Sequence, residues 1–254
     1  FRYLGDIQKA KEYYEKVIKI DPNNINSINA LSNLSELYIF DYKTKDEKNI
    51  FKKLIISLFK EGNIKTSFFY KNAKSILFSN DEENQLAEAI NSDLLLSNKI
   101  LQRLLGEELF HLLLQKSSLK DIFIEKLLTK LRCEIFFNLE NSNKGNFKEY
   151  FNFIISLAEQ CWLNEYIYIQ SEKEIYLVNK LKQKIEDDAE INELEIAILG
   201  CYIPLNSSEN IIDKLLNYKS SNLLFNDLIS VQIKEPLKEN QLVKSIQSLE
   251  AIVN

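Results

Sequence analysis

The chain has 254 residues, of which 45% are hydrophobic and 27% charged, with a net charge of −5. That length is enough for one large or two ordinary domains with a proper core, and the balance is that of a globular protein. An acidic balance, with arginine confined to Arg2, Arg103 and Arg132, argues against a nucleic-acid partner, which needs clustered positive charge.

Only 5 Gly and 3 Pro interrupt a chain rich in Leu, Ile, Lys and Glu, so long helices are expected and the fold class is all-α. The heavy use of Ile, Lys and Asn points to an AT-rich bacterial genome. Cys133, Cys161 and Cys201 are odd in number, widely spaced and set in apolar company. They are expected as buried free thiols in a reducing, cytoplasmic compartment. No signal peptide stands out, and no apolar run approaches the roughly 20 residues of a membrane span. The sequence has no Met and opens inside a motif, so a piece of a longer protein is expected.

At the start, Gly5 and Asp6 suit a turn and a helix N-cap. Ile7, Ala10, Tyr14, Val17 and Ile18 then share one helix face, and Asp21-Pro22 ends it. Gly5, Ala10, Tyr14, Val17 and Pro22 stand at intervals that resemble the second half of a tetratricopeptide repeat, a helix pair of about 34 residues. Ala10 would let two helices approach closely, and Tyr14 would fill the space beside it. A further, degraded repeat is expected from Ile25, with Ile28, Leu31 and Leu34 inward. The division is therefore 1–45 as the end of a repeat array and 46–254 as an irregular helical connector. Asn26, Asn29, Asn33 and Glu36 form a polar face. It is either simply solvated or the inner groove where such arrays bind a protein or peptide partner.

Beyond Asp46 the apolar residues recur at helical spacing. Phe51, Leu54, Ile55, Leu58 and Phe59 form one stripe, and Phe68, Phe69, Ala73, Ile76 and Leu77 another. Acids at Asp81 to Glu83 mark a helix start, and Leu101, Leu104 and Leu105 follow. The stretch from Glu107 to Leu114 continues this pattern toward Ser117. Ile122, Leu127, Leu128, Leu131 and Ile135 predict a long buried helix. The Asn- and Gly-rich run 141–146 is a loop and a candidate subdomain break. Ile154, Leu157, Ala158, Cys161 and Trp162 predict the next helix, with the only Trp inside. Trp162→Ala should then cost about 3–5 kcal/mol. Ser171 to Glu174 is a capping box, Gly200 a C-terminal cap, and Pro236 the first turn of a last helix.

Catalytic constellations fail one by one. Glu108 and His111 share a helix face, but His111 is the only histidine, so a carboxylate–histidine metal site cannot be repeated and no histidine-activated nucleophile can be built around a second one. The glycines are too dispersed for a dinucleotide or phosphate loop. No catalytic, cofactor-binding or metal-binding residue is assigned.

Three stretches carry a second resemblance: Ala158-Glu-Gln-Cys-Trp-Leu-Asn-Glu-Tyr-Ile167, Leu199-Gly-Cys-Tyr-Ile-Pro-Leu205 and Val231-Gln-Ile-Lys-Glu-Pro-Leu-Lys-Glu239. In this order they resemble the helical region between tetratricopeptide repeats and the catalytic domain of bacterial S-adenosylmethionine-dependent methyltransferases. The resemblance covers roughly residues 46–254 and implies a methyltransferase parent that uses S-adenosylmethionine. The segments that bind it in that family follow the connector and do not occur in this sequence. The chain itself is thus expected to be a non-catalytic scaffold, without cofactor, that contacts a catalytic domain in cis and a protein partner through the repeats. Cys161, Trp162, Asn164, Glu165 and Tyr166 are expected to be structural, with Asn164 and Glu165 bonding either the turn before Ser171 or the catalytic domain. The alternative is a stand-alone helical adaptor. A repeat region of a glycosyltransferase or sulfotransferase is a weaker third reading, opposed by the Cys161–Tyr166 stretch.

Overall fold

A computed structural model describes residues 44–61, 66, 69–92, 95–140, 150–188 and 190–253, with scattered positions between 9 and 21. All regular structure among them is helical, as the composition predicts. The chain divides into two compact units, Phe1–Ser118 and Leu119–Asn254. The expected repeat residues Gly5, Ala10, Tyr14 and Pro22, and the expected break at 141–146, lie outside the described residues.

In the first unit, α1 (Lys45–Glu61) buries Phe51, Leu54, Ile55, Leu58 and Phe59, the stripe that its spacing predicts. Helix α2 (Tyr70–Leu77) buries Ala73, Ile76 and Leu77. Both pack against α5 (Glu108–Lys116), whose Leu109, Phe110, Leu113 and Leu114 are wholly buried. Between them, α3 (Asn80–Ile90) starts at a capping box. The Ser79 hydroxyl accepts the Glu82 N–H at 3.2 Å, and Glu82 accepts the Ser79 N–H at 2.9 Å. Helix α4 (Lys99–Leu105) ends at Gly106. The Glu107 carboxylate then caps α5 and also receives Lys52 Nζ at 2.7 Å. The apolar pattern around Gly106 is therefore two helices with a capped break.

In the second unit, Asp121 caps α6 (Ile122–Glu140) by accepting the N–H groups of Phe123 and Ile124. Leu127, Leu128, Leu131 and Ile135 are buried as expected, but Ile122 is 72% exposed, on the solvent side of a first turn whose Ile124 is fully buried. Helix α7 (Phe151–Leu163) is the centre of this unit. Every residue from Phe153 to Cys161 is buried, which marks a helix covered on all sides. It packs along α9 (Glu193–Gly200), itself buried from Glu195 onward, and on α11 (Leu223–Ile229). Helices α8 (Glu172–Asp187) and α10 (Glu209–Leu215) complete the shell.

Helix α11 continues without a turn through a π-helical segment, Ser230–Lys234, into α12 (Glu235–Val253). The Glu235 N–H donates to the Ser230 carbonyl, five residues back. Proline at 236 lacks an N–H and its ring would crowd the preceding turn of an α-helix, so a widened turn just before it relieves both problems. Pro236 thus lies near the start of the last α-helical segment, as expected, but it does not open a separate helix.

Candidate functional site

Three stretches singled out in the sequence, 158–167, 199–205 and 231–239, meet in space at one side chain. Gln232, fully buried, sits on the π-helical segment. Its Nε2 donates to the Ala158 carbonyl at 3.1 Å and to the Gly200 carbonyl at 3.4 Å. Its Oε1 accepts the Leu205 N–H at 3.2 Å and the Tyr166 hydroxyl at 3.3 Å. Both amide donors and both acceptor positions are used, which is the condition for burying an amide without penalty. Ala158 and Tyr166 belong to the first stretch, Gly200 and Leu205 to the second, and Gln232 to the third.

Gly200 lies inside this junction. It is the last residue of α9, and the cap position is Cys201. A methyl at Gly200 would stand 3.4 Å from the Ala158 Cβ and 3.6 Å from the Gln232 amide. The glycine therefore serves a close helix approach and not a left-handed cap.

The left-handed cap belongs to α7. Glu165 and Tyr166 have φ of 57° and 59°. The Glu165 N–H donates to the Trp162 carbonyl at 3.1 Å, and the Tyr166 N–H to the Cys161 carbonyl at 2.9 Å. These two bonds are a Schellman closure, with glutamate where glycine is usual. The turn is thus held by backbone groups. Glu165 points to solvent, while the buried Asn164 amide and Tyr168 hydroxyl lack hydrogen bonds of normal geometry. Trp162 is only half-buried, because Cys161 takes the core-facing position beside it.

A second polar centre surrounds Arg132, which is 1% exposed. One guanidinium nitrogen donates to the Ile169 carbonyl at 2.9 Å and the Tyr168 carbonyl at 3.3 Å, and stands 3.8 Å from Glu174 Oε1. The other donates to the Cys201 carbonyl at 3.4 Å. Its plane lies 4.3 Å from the Tyr202 ring centroid, and the Tyr202 hydroxyl donates to Glu174 at 3.0 Å. Glu174 also accepts from Ser171, so the capping box of α8 is tied directly to the buried arginine.

This centre is built to hold shape. Burial pushes the Cys161 thiol up to about 12 and the Cys201 thiol well above its ordinary range. Burial also raises the Tyr166 and Tyr202 hydroxyls. Protonated, enclosed thiols and phenols offer neither a nucleophile nor a base at neutral pH. In the first unit, His111 Nε2 faces the Leu105 carbonyl at 2.8 Å, and Glu108 pairs with Lys60 at 2.6 Å. The two residues of the Glu-x-x-His spacing therefore serve different partners. Among the described residues, no group of three or more His, Cys, Asp or Glu could hold a metal ion, and no helix is long and apolar enough to cross a membrane.

Asn26, Asn29, Asn33 and Glu36 lie outside the described residues. Arg132 and Gln232 are the two key residues that pattern reading passed over. Each had a visible signal, a lone polar side chain between apolar neighbours: Leu131 and Cys133 for one, Val231 and Ile233 for the other.

Residues 1–24 match the family model of the tetratricopeptide repeat. The chain thus carries a repeat of a kind that generally binds proteins or peptides. Comparison with curated proteins and with solved structures finds no match.

Proposed function

We propose that the chain is a non-catalytic protein-interaction and scaffolding region, and that its parent is an S-adenosylmethionine-dependent methyltransferase. In this reading the repeat end recruits a protein or peptide, with Asn26, Asn29, Asn33 and Glu36 on the contacting face. The unit Leu119–Asn254 is a stiff connector that holds a methyl-transfer domain. The observation that supports it best is the meeting of the three connector-like stretches on Gln232. Stretches that share one buried amide act as one structural element, which is what a connector requires.

Isothermal calorimetry of the purified chain with S-adenosylmethionine tests the non-catalytic part. No binding heat is expected, and clear micromolar binding would overturn it. The repeat match favours a second reading, a stand-alone adaptor, because it does not depend on the connector at all. The coding sequence downstream of Asn254 separates the two. A glycine-rich strand–helix segment there supports the methyltransferase parent, and an immediate stop codon supports the adaptor.

A further inference from the structure

A groove of about 710 Å³ opens on the second unit, between the end of α8 and the start of α9. Among the described residues that line it, Asp188, Glu190, Glu193 and Glu195 stand against one cation, Lys184. Lys184 is already engaged, donating to both Glu195 oxygens at 2.6 and 2.8 Å. Glu193 accepts the Tyr218 hydroxyl at 2.7 Å, which leaves its charge in place. Phe151, Leu194 and Tyr218 supply apolar and aromatic wall between the acids.

Two of these carboxylates have a local explanation. Glu193 and Glu195 stand in the first turn of α9, where the helix dipole favours anions. Asp188 has the opposite situation, because it caps the C-terminal end of α8, where the dipole favours cations. Lys214 answers that end by donating to the carbonyls of Ile185, Glu186 and Asp188. It bonds the backbone and leaves the Asp188 side chain exposed, as that of Glu190 is. The acids are also too dispersed to converge on one metal ion. An occupant must therefore carry several cations along its length, with apolar surface between them.

We infer that this groove docks a basic segment of another protein, one with lysine or arginine on both sides of an apolar or aromatic side chain. Charge complementarity selects the sign of the partner, and the Phe151–Leu194–Tyr218 wall selects a peptide over a bare polycation. The inference does not rest on the repeat reading, so either can fail without the other.

The test is fluorescence anisotropy of the whole chain with a labelled Lys-Lys-Leu-Phe-Lys-Lys amide, a Glu-for-Lys version of it, and spermine as competitor. The basic peptide is expected to bind and to weaken with added salt, while the acidic version does not bind. The double variant Asp188→Asn, Glu190→Gln should weaken binding about fivefold to tenfold, and Glu190→Lys should weaken it further. Both positions are exposed, so an unchanged urea midpoint is expected for each variant. Absence of basic-peptide binding would overturn the inference, as would wild-type affinity in the charge variants. Displacement by spermine at the peptide's own affinity would also overturn it, because the apolar wall would then contribute nothing.

Discussion

Gly200 and Ala158 bring α9 and α7 together with room for one methyl group and no more: a Cβ on Gly200 would meet the Ala158 Cβ at 3.4 Å. That is ordinary van der Waals contact, and Gly200 is the last residue of a helix without a positive φ. Gly200→Ala is therefore expected to stabilise the chain by about 0.4–1 kcal/mol, through lost freedom of the unfolded state. Gly200→Val must push into Ala158 or the Gln232 amide and should cost about 1–3 kcal/mol. Urea unfolding of the two variants checks both signs.

Arg132 holds three backbone carbonyls and faces Glu174 in an enclosed site. Arg132→Met leaves a buried carboxylate and those carbonyls without their donor. The expected loss is about 3–5 kcal/mol. Pairing it with Glu174→Gln should recover part of that loss, because the uncompensated charge is then gone. A double-mutant cycle by chemical denaturation reads the coupling, and strictly additive losses would count against a shared centre.

Glu165 adopts a left-handed conformation at the position where the Schellman turn prefers glycine. Its side chain is exposed, so substitution removes backbone strain without opening the core. Glu165→Gly should raise stability by about 0.5–1 kcal/mol. A lower urea midpoint would show that the side chain has a role in the folded state.

His111 has its pKa lowered from 6.5, mainly because burial disfavours the charged ring. The Leu105 carbonyl and the nearby Glu107 and Glu108 pull the other way and are outweighed. Below 6.5 the unfolded chain binds a proton that the folded chain resists. Its contribution is therefore present above that value and is lost as pH falls through the depressed folded pKa. His111→Gln should show a smaller stability drop between neutral and mildly acidic pH than the parent, measured by urea unfolding at each pH.

Much of the fold was legible because burial and helical spacing coincide. Phe51, Leu54, Ile55, Leu58 and Phe59 are on one face in the sequence and in one core in the structure. The capping box at Ser171 was equally plain, since it depends on two residues three apart, while at Ser79 only the acids of the helix start were read. What pattern could not supply was contact between distant positions. Gln232 bonds residues 32 and 74 positions away, and no local rule connects them. Trp162 was misplaced for a related reason. Its spacing allowed the core face, but Cys161 occupies it, and which neighbour wins is settled by the helices packed around α7. Trp162→Ala should accordingly cost less than a core tryptophan would.

The π-helical turn at Ser230–Lys234 fixes more than the geometry around Pro236. Such a turn holds one residue more than the α-helix it interrupts, and each residue advances an α-helix by about 100°. Deleting a single residue there would restore an ordinary α-helical turn and leave the helix beyond it facing nearly the same way, whereas a deletion elsewhere in the helix would turn it by about 100°. The exposed stripe of Leu242, Val243 and Ile246 would then keep its direction. The segment thus takes up one residue without turning the side of α12 that is offered to solvent, and the residue it makes room for lies in the stretch that Gln232 pins.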